Sequence, residues 1–368
     1  MITDNPIRSI DTINGEFDDP IGKITTQYKP FDPDKITHIY HLGHKKAYGR
    51  SNNQIVTILH AIDMALDEHG DLPNNRAVVA VSNWAFQILQ EVFYNGTDRI
   101  EFSIQLEQLR PVLLVHEDRL ETLGIHSRNV THIYLRTVDA YYHLHRTLHK
   151  HTPQQIKKRR QVILGNLIQY GFAERNLLLY KHVIDYIKRK GRDYGNGKNQ
   201  ITKYITIHSR WMEGECENRL GHLIPKDECW MTPSYIKNIM GGTVDRPIVL
   251  ISDGQNQEVI QNLKDDADIG PALIIPGDIA PEGIDFPQPW SDMMIAVMGD
   301  AFVGTRISSS AAMIGLIRVL KGADPGSNFV YTSRSNSRPN EETNIEICKH
   351  CLFLCKGNRY CGQSAVHI

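Results

Sequence analysis

The chain has 368 residues, 41% of them hydrophobic and 23% charged, with a formal net charge of -1. That length accommodates two domains of roughly 100–200 residues and a sizeable core. The balanced charge gives no whole-chain argument for nucleic acid or an acidic membrane as partner, and no apolar run approaches the ~20 residues of a membrane span.

The first residues, MITDNPIRSIDTINGEFDDP, are polar and acidic and lack the apolar core of a signal peptide. The expectation is a soluble chain, cytoplasmic as it stands, or lumenal in the ER or Golgi if a leader has been removed. Residues 1–35 alternate Asp, Pro and Thr without a period and read as an arm. A strand is predicted at 36–42, followed by the glycine-containing turn HLGHKKAYGR. At 52–68 the residues Ile55, Ile58, Leu59, Ile62, Ala65 and Leu66 fall at helical spacing. The run AVVAV at 77–81 has the continuous apolar character of a strand buried on both faces. A strand at 132–135 and helices at 138–150, 153–170 and 173–189 follow. The glycine-rich, basic segment KRKGRDYGNGKNQ, 188–200, is the best domain boundary.

Alternation then restarts. Strands are predicted at 204–207, 247–251, 272–275 and 301–303, and helices at 232–240, 255–263, 289–298 and 309–320. Thr232 supplies an N-cap and Pro233 a first helical turn. Two βα blocks imply two parallel-sheet α/β domains, 36–190 and 200–335, followed by a Cys-rich tail at 336–368. In such sheets ligands bind beyond the carboxyl ends of the strands.

Cys348, Cys351, Cys355 and Cys361 crowd the tail. They suit two disulfides or a zinc site, with His350 and His367 as spare ligands. The sequons at Asn95 and Asn129 lean weakly toward a secretory history. His143, His145, His149 and His151 read as helix surface, as does Lys157-Lys158-Arg159-Arg160. Asp32-Pro33-Asp34 and Asp266-Ala267-Asp268 do not close apolar strands and read as chance D-x-D matches.

Four stretches place polar residues after an apolar strand. Gly49-Arg50-Ser51-Asn52-Asn53-Gln54 leads into a helix, whose first N–H groups favour phosphate; Asn52 is equally a plain N-cap. His208-Ser209-Arg210 ends a strand in a fixed fork of cationic donors suited to a diphosphate; Arg210 can instead pair with Glu213, Glu215 or Glu217. Asp253 can accept from a base or ribose, or cap the next helix. In DAFVGTRISSS, 300–310, a strand, a glycine and three serines precede a helix. Ser309 and Ser310 are alternatively ordinary N-caps.

Taken in order, GRSNNQ, HSR, SD and DAFVGTRISSS resemble the blocks of the fucosyltransferase family that includes the protein O-fucosyltransferases and the α1,6-fucosyltransferases. The match spans about residues 37–320 and rests on four short blocks. The resemblance implies a GT-B architecture, two Rossmann-like domains across a cleft, that binds GDP-fucose and passes fucose to a protein or glycan hydroxyl with inversion and no metal. It implies that Gly49, Asn52 and Asn53 line the donor cleft and that His208 contacts the nucleoside. Arg210 would bind the β-phosphate and assist departure of GDP, and Asp253 would recognise guanine. Ser308 and Ser309 would hold the diphosphate with the start of the following helix, with Ser310 beside them as a further candidate. Arg306 is an extra cation outside the family pattern, either a surface arginine or a phosphate ligand. Ser252 and Ser310 depart from the family's usual Thr and aromatic. The general base is open among Glu213, Glu215 and Glu217. Lumenal relatives often carry a disulfide where Cys216 and Cys229 stand. The alternatives are another nucleotide-sugar, or a non-catalytic scaffold that binds a glycan or protein.

Overall fold

A computed structural model describes residues 36–43, 51–69, 76–93, 101–106, 109–122, 130–136, 163–165, 167–168, 174–194, 203–209, 231–280, 289–305 and 308–331. The predictions for the arm, the turn with Gly49, most of the helices at 138–170, residues 210–230, Arg306 and the Cys-rich tail lie outside these residues.

The first sheet is built from β1 (Ile36–Leu42), β2 (Arg76–Val81), β3 (Glu101–Leu106), β4 (Leu109–His116) and β5 (Thr131–Leu135). Its order is β3-β4-β2-β1-β5. The contacts β4-β2, β2-β1 and β1-β5 are parallel, and β3 adds one antiparallel edge. The helix after β1, α1 (Ser51–His69), buries Ile55, Ile58, Leu59, Ile62, Ala65 and Leu66 against this sheet, the face its spacing predicts. Helix α2 (Asn83–Phe93) follows β2 after Ser82 alone. A four-residue helix, α3 (Arg119–Thr122), follows β4. Helix α4 (Glu174–Tyr194) runs seven residues into the segment read as a boundary and continues through Gly191.

The second sheet contains β6 (Ile205–Ser209), β7 (Ile248–Ser252), β8 (Leu273–Ile274), β9 (Ala301–Thr305) and β10 (Asn328–Tyr331), all parallel, in the order β10-β9-β6-β7-β8. Helix α5 (Pro233–Ile239) follows β6 in sequence, and α6 (Gln257–Asp265) and α7 (Ile269–Ala272) lie between β7 and β8. Helix α8 (Pro289–Met298) precedes β9, and α9 (Ser309–Leu320) follows it. Thr232 caps α5 by accepting from the N–H of Tyr235 at 3.4 Å, with Pro233 in the first turn. Ile207, Leu250, Leu263, Ile269 and Val303 form the centre of this core. The expected α/β class with two mostly parallel sheets is what the structure shows.

Both sheets lie within one compact unit, Asp32–Ile368. Contacts between their helices are polar and specific. Asn176 of α4 donates to the Glu91 carbonyl at the end of α2, 2.8 Å away. Trp290 of α8 donates to the Glu91 carboxylate at 3.1 Å, and Ser291 Oγ donates to Asn176 Oδ1 at 3.0 Å.

One residue later in α8, Asp292 is buried, and its Oδ1 has no hydrogen-bond partner among the described residues. Desolvation lifts its pKa to about 8. The folded chain therefore holds a proton that the unfolded chain releases near pH 4, so stability falls as the pH rises from about 4 to about 8. The slope approaches roughly 1.4 kcal/mol per pH unit across that window. Asp292→Asn is expected to raise the melting temperature at pH 8 and to change it little at pH 4, measured by calorimetric melts at the two values.

Candidate functional site

In each sheet the strand order reverses direction at one place. From β6 the chain moves outward through β7 and β8, then returns to β9 on the other side; from β1 it moves through β2 and β4, then returns to β5. Helices that leave the two strands at such a reversal pass to opposite faces, so a crevice opens at the strands' carboxyl ends. The second sheet's crevice lies between β6 and β9, and the first sheet's between β1 and β5.

At the second, β6 ends in His208 and Ser209, both buried. His208 is in register with Gly304 of β9 on one side and Ile251 of β7 on the other, while Ser209 is in register with Ser252. Three neighbouring strands thus end level with one another. At about 4.8 Å per strand, the segments after β7 and β9 are roughly 10 Å apart, with His208 between them.

After β7 the chain turns through two side-chain-to-backbone bonds. Gly254 N–H donates to Ser252 Oγ at 3.1 Å, and Gln255 N–H donates to Asp253 Oδ1 at 3.3 Å. Gly254 has φ 72°, a conformation glycine adopts at no steric cost. The N-cap of α6 is Asn256, whose Oδ1 accepts from Val259 N–H at 3.1 Å. The capping alternative for Asp253 is thereby replaced: the N-cap falls three residues later, at Asn256, and Asp253 stays just past the strand end.

After β9, Ser308 is the N-cap of α9 and accepts from Ala311 N–H at 3.4 Å. Ser309 and Ser310 therefore form the first turn, and neither is the cap. Ser308 and Ser310 are buried. Gly304 explains itself by the close approach of strand to helix: a Cβ there would lie 2.6 Å from Ala311 Cβ. Gly304→Val is expected to push the first turn of α9 outward, destabilising the fold by about 1–3 kcal/mol. Thermal melts check this.

On the first sheet, α1 begins at Ser51, so Asn52 and Asn53 lie in its first turn and Asn52 is inside the helix. Helix α1 also touches α9, so helices that follow β1 and β9 meet. Gly49, Arg210, Glu213, Glu215, Glu217 and Arg306 lie outside the described residues, as does the side chain of Ser309. Both aspartates of the second D-x-D match engage Lys237, whose Nζ is 2.9 Å from Asp266 and 2.6 Å from Asp268.

Sequence reasoning missed a second polar cluster, at the first sheet's reversal. His41 Nε2 is 2.9 Å from His132 Nδ1, and His41 Nδ1 is 3.6 Å from the Glu117 carboxylate. The Tyr134 ring stacks on His41, with centroids 4.6 Å apart and planes at 15°. His41, Ala80, Val115 and Tyr134 are in register across β1, β2, β4 and β5. The small Ala80 lets Glu117, two residues beyond Val115, cross β2 to reach His41. The available signal was a polar residue at the end of each apolar strand, HIYHL and VLLVHE.

No family model matches the chain, and no curated protein matches it. Among solved structures it is similar to POFUT1 in complex with GDP, at 14% identity and a TM-score of 0.41, over 82% of this chain and 99% of that one. A crystal form of POFUT1 with GDP-fucose matches at 14% identity and a TM-score of 0.42, over the same shares. The POFUT1 apo-form matches at 14% and 0.38, over 78% of this chain and 96% of that one. At that identity and those TM-scores the likeness carries no argument about substrate or mechanism.

Proposed function

We propose that the chain is a GT-B glycosyltransferase that moves fucose from GDP-fucose to a hydroxyl acceptor, inverting the anomeric centre without a metal. One observation carries the reading. His208, Asp253 and the Ser308-capped start of α9, three of the motif positions, lie at the carboxyl ends of three neighbouring strands, β6, β7 and β9, and the pair β6 and β9 flanks the reversal where an α/β fold opens its ligand crevice. In this reading the two sheets face each other across the donor.

The roles follow from chemistry at those positions. Backbone N–H groups in the first turn of α9 donate to the diphosphate, and the positive end of the helix dipole favours its charge. Arg210, directly after Ser209, sets its guanidinium fork on the β-phosphate. As the bond from the anomeric carbon to the phosphate oxygen breaks, that oxygen takes the electron pair, and the fixed cation stabilises the growing charge. Asp253 lies across β6 from the phosphate end and accepts from the ring N–H and amino group of guanine. That donor pair is absent from uracil and adenine.

Calorimetric titration of GDP, UDP and ADP into the full chain tests the reading. GDP alone is expected to bind, and Asp253→Ala to weaken it and erase the preference. Equal binding of the three would replace guanine recognition with a broader nucleotide site. No binding of any would remove the donor reading.

A further inference from the structure

We propose that His132 is the general base for the acceptor, held in its reactive form by His41 and Glu117, with Tyr134 as an aromatic platform beside it. The proposal rests on the fucosyl-transfer reading for its reaction, and on the first sheet alone for its geometry.

The three polar groups form a line. The His41 and His132 ring centroids are 5.1 Å apart with planes at 18°, while the facing nitrogens are 2.9 Å apart. The centroid separation is close to the nitrogen separation plus two ring radii, so the hydrogen bond runs in the plane of both rings. The Glu117 carboxylate, 3.6 Å from Nδ1 of His41, is at ion-pair rather than hydrogen-bond distance, and its negative charge favours a proton on that nitrogen. Nε2 of His41 is then the acceptor, and Nδ1 of His132 must donate to it. This assignment puts the basic lone pair of His132 on Nε2. A base oriented by a second group, itself oriented by a carboxylate, is the arrangement that activates a hydroxyl.

Burial sorts the roles. His41 is buried, so it is a positioning residue, as is the part-buried Glu117. His132 is exposed on the edge strand, where it can meet a ligand. Tyr134 is 75% exposed, on the same face of β5 two residues on, and one side of its ring covers His41. The other side offers an aromatic surface of the kind that takes the C–H face of a sugar ring or an apolar peptide side chain beside its hydroxyl. The cluster also sits at the first sheet's reversal between β1 and β5. The helix that follows β1 touches the helix that follows β9, which links this crevice to the donor side.

The step balances. The acceptor hydroxyl gives its proton to His132 Nε2, its oxygen forms the new bond to the anomeric carbon, and GDP leaves with the electrons of the old one. The imidazolium is stabilised through His41 by Glu117, and it later returns its proton to water.

Two measurements on the full-length chain test this. The first is the modification rate of each histidine by diethyl pyrocarbonate, read by mass spectrometry. His132 is expected to react fast in the wild type and several-fold more slowly in Glu117→Gln. Equal rates in the two proteins would overturn the relay. The second is GDP release from GDP-fucose, with water or azide as acceptor. His132→Gln is expected to slow release to water about 10²–10³-fold, within the range for general-base loss. Azide, which has no proton to lose, is expected to restore release in that variant. Unchanged release to water would overturn the acceptor role and leave the donor reading standing. No release from the wild type under either condition would overturn the donor reading and the catalytic role together, while the pyrocarbonate rates decide the relay separately.

Discussion

Arg210→Ala is expected to slow fucosyl transfer about 10²–10³-fold while leaving the melting temperature within a degree or two of wild type. The fold-change is that of losing one preorganised donor from a site of developing charge. The physical setting supports a value at that scale. His208 and Ser209, immediately before Arg210, are both buried at the end of a strand hydrogen-bonded on both sides, so the chain arrives at Arg210 from a rigid base. Arg210→Lys separates charge from shape: it keeps the charge but loses the planar fork, and an intermediate rate is expected. Steady-state rates of GDP release, with calorimetric GDP affinity and a thermal melt for each variant, make the test. Wild-type turnover in Arg210→Ala would remove this cation from the mechanism.

Arg318→Leu is expected to be the most destabilising single substitution in the second sheet's half, by roughly 3–5 kcal/mol. Arg318 is 0% exposed, the largest fully buried side chain among the described residues. Its Nε donates to Asn328 Oδ1 at 2.8 Å, and one terminal nitrogen donates to the carbonyls of Ala296 at 3.1 Å, Val297 at 3.3 Å and Gly299. The other donates to the Asp300 carbonyl and to Ser327 Oγ, each at 2.9 Å. These acceptors lie at the end of α8, in the turn into β9 and at the start of β10, so a single guanidinium ties three chain segments together. Leucine fills the volume but leaves the carbonyls dry and unpaired, and each orphaned group costs about 1–3 kcal/mol. Denaturant melts of wild type and Arg318→Leu give the difference, and a loss under 1 kcal/mol would show that water or a rearranged turn replaces the guanidinium. Because Arg318 lies in the last turn of α9, GDP affinity is expected to fall with stability, through the helix whose other end starts at Ser309.

The second half was legible because its signals are local. Ile248–Ser252 and Ile205–Ser209 are flanked by strands on both sides and carry the continuous apolar runs expected of parallel strands covered on both faces. Thr232 and Pro233 mark a helix start by chemistry that acts within one turn. Across 83–116 the sequence suggests no helix or strand. Helix α2 follows β2 with only Ser82 between, so AVVAVSNWAF looks like one apolar stretch rather than a strand and a helix. Strand β4 contains Pro111, which argues against a central strand. The structure places it where β3 and β4 lose register, between the pairs Ile104–Val112 and Leu106–Leu109, so the missing N–H falls at a bulge. The caps at Ser308 and Asn256 were each misplaced by one to three residues, since several neighbouring side chains have capping chemistry and only the backbone path chooses among them.

By itself, then, the sequence determined the types of most second-half elements, though not β10 or α7, with the α/β class and the polar residues that end its strands, all properties of a few neighbouring residues. Only the tertiary structure decided strand order, and with it which strand ends share a crevice. His41 and His132 are 91 residues apart, and Trp290 and Glu91 are 199 apart. Nothing in the local spacing encodes either meeting. They form because β5 returns to the far side of β1, and because α8 packs beside α4, each buried against partners remote in the chain. Periodicity reports which face of an element is apolar. What that face meets is settled by the collective burial of all the others.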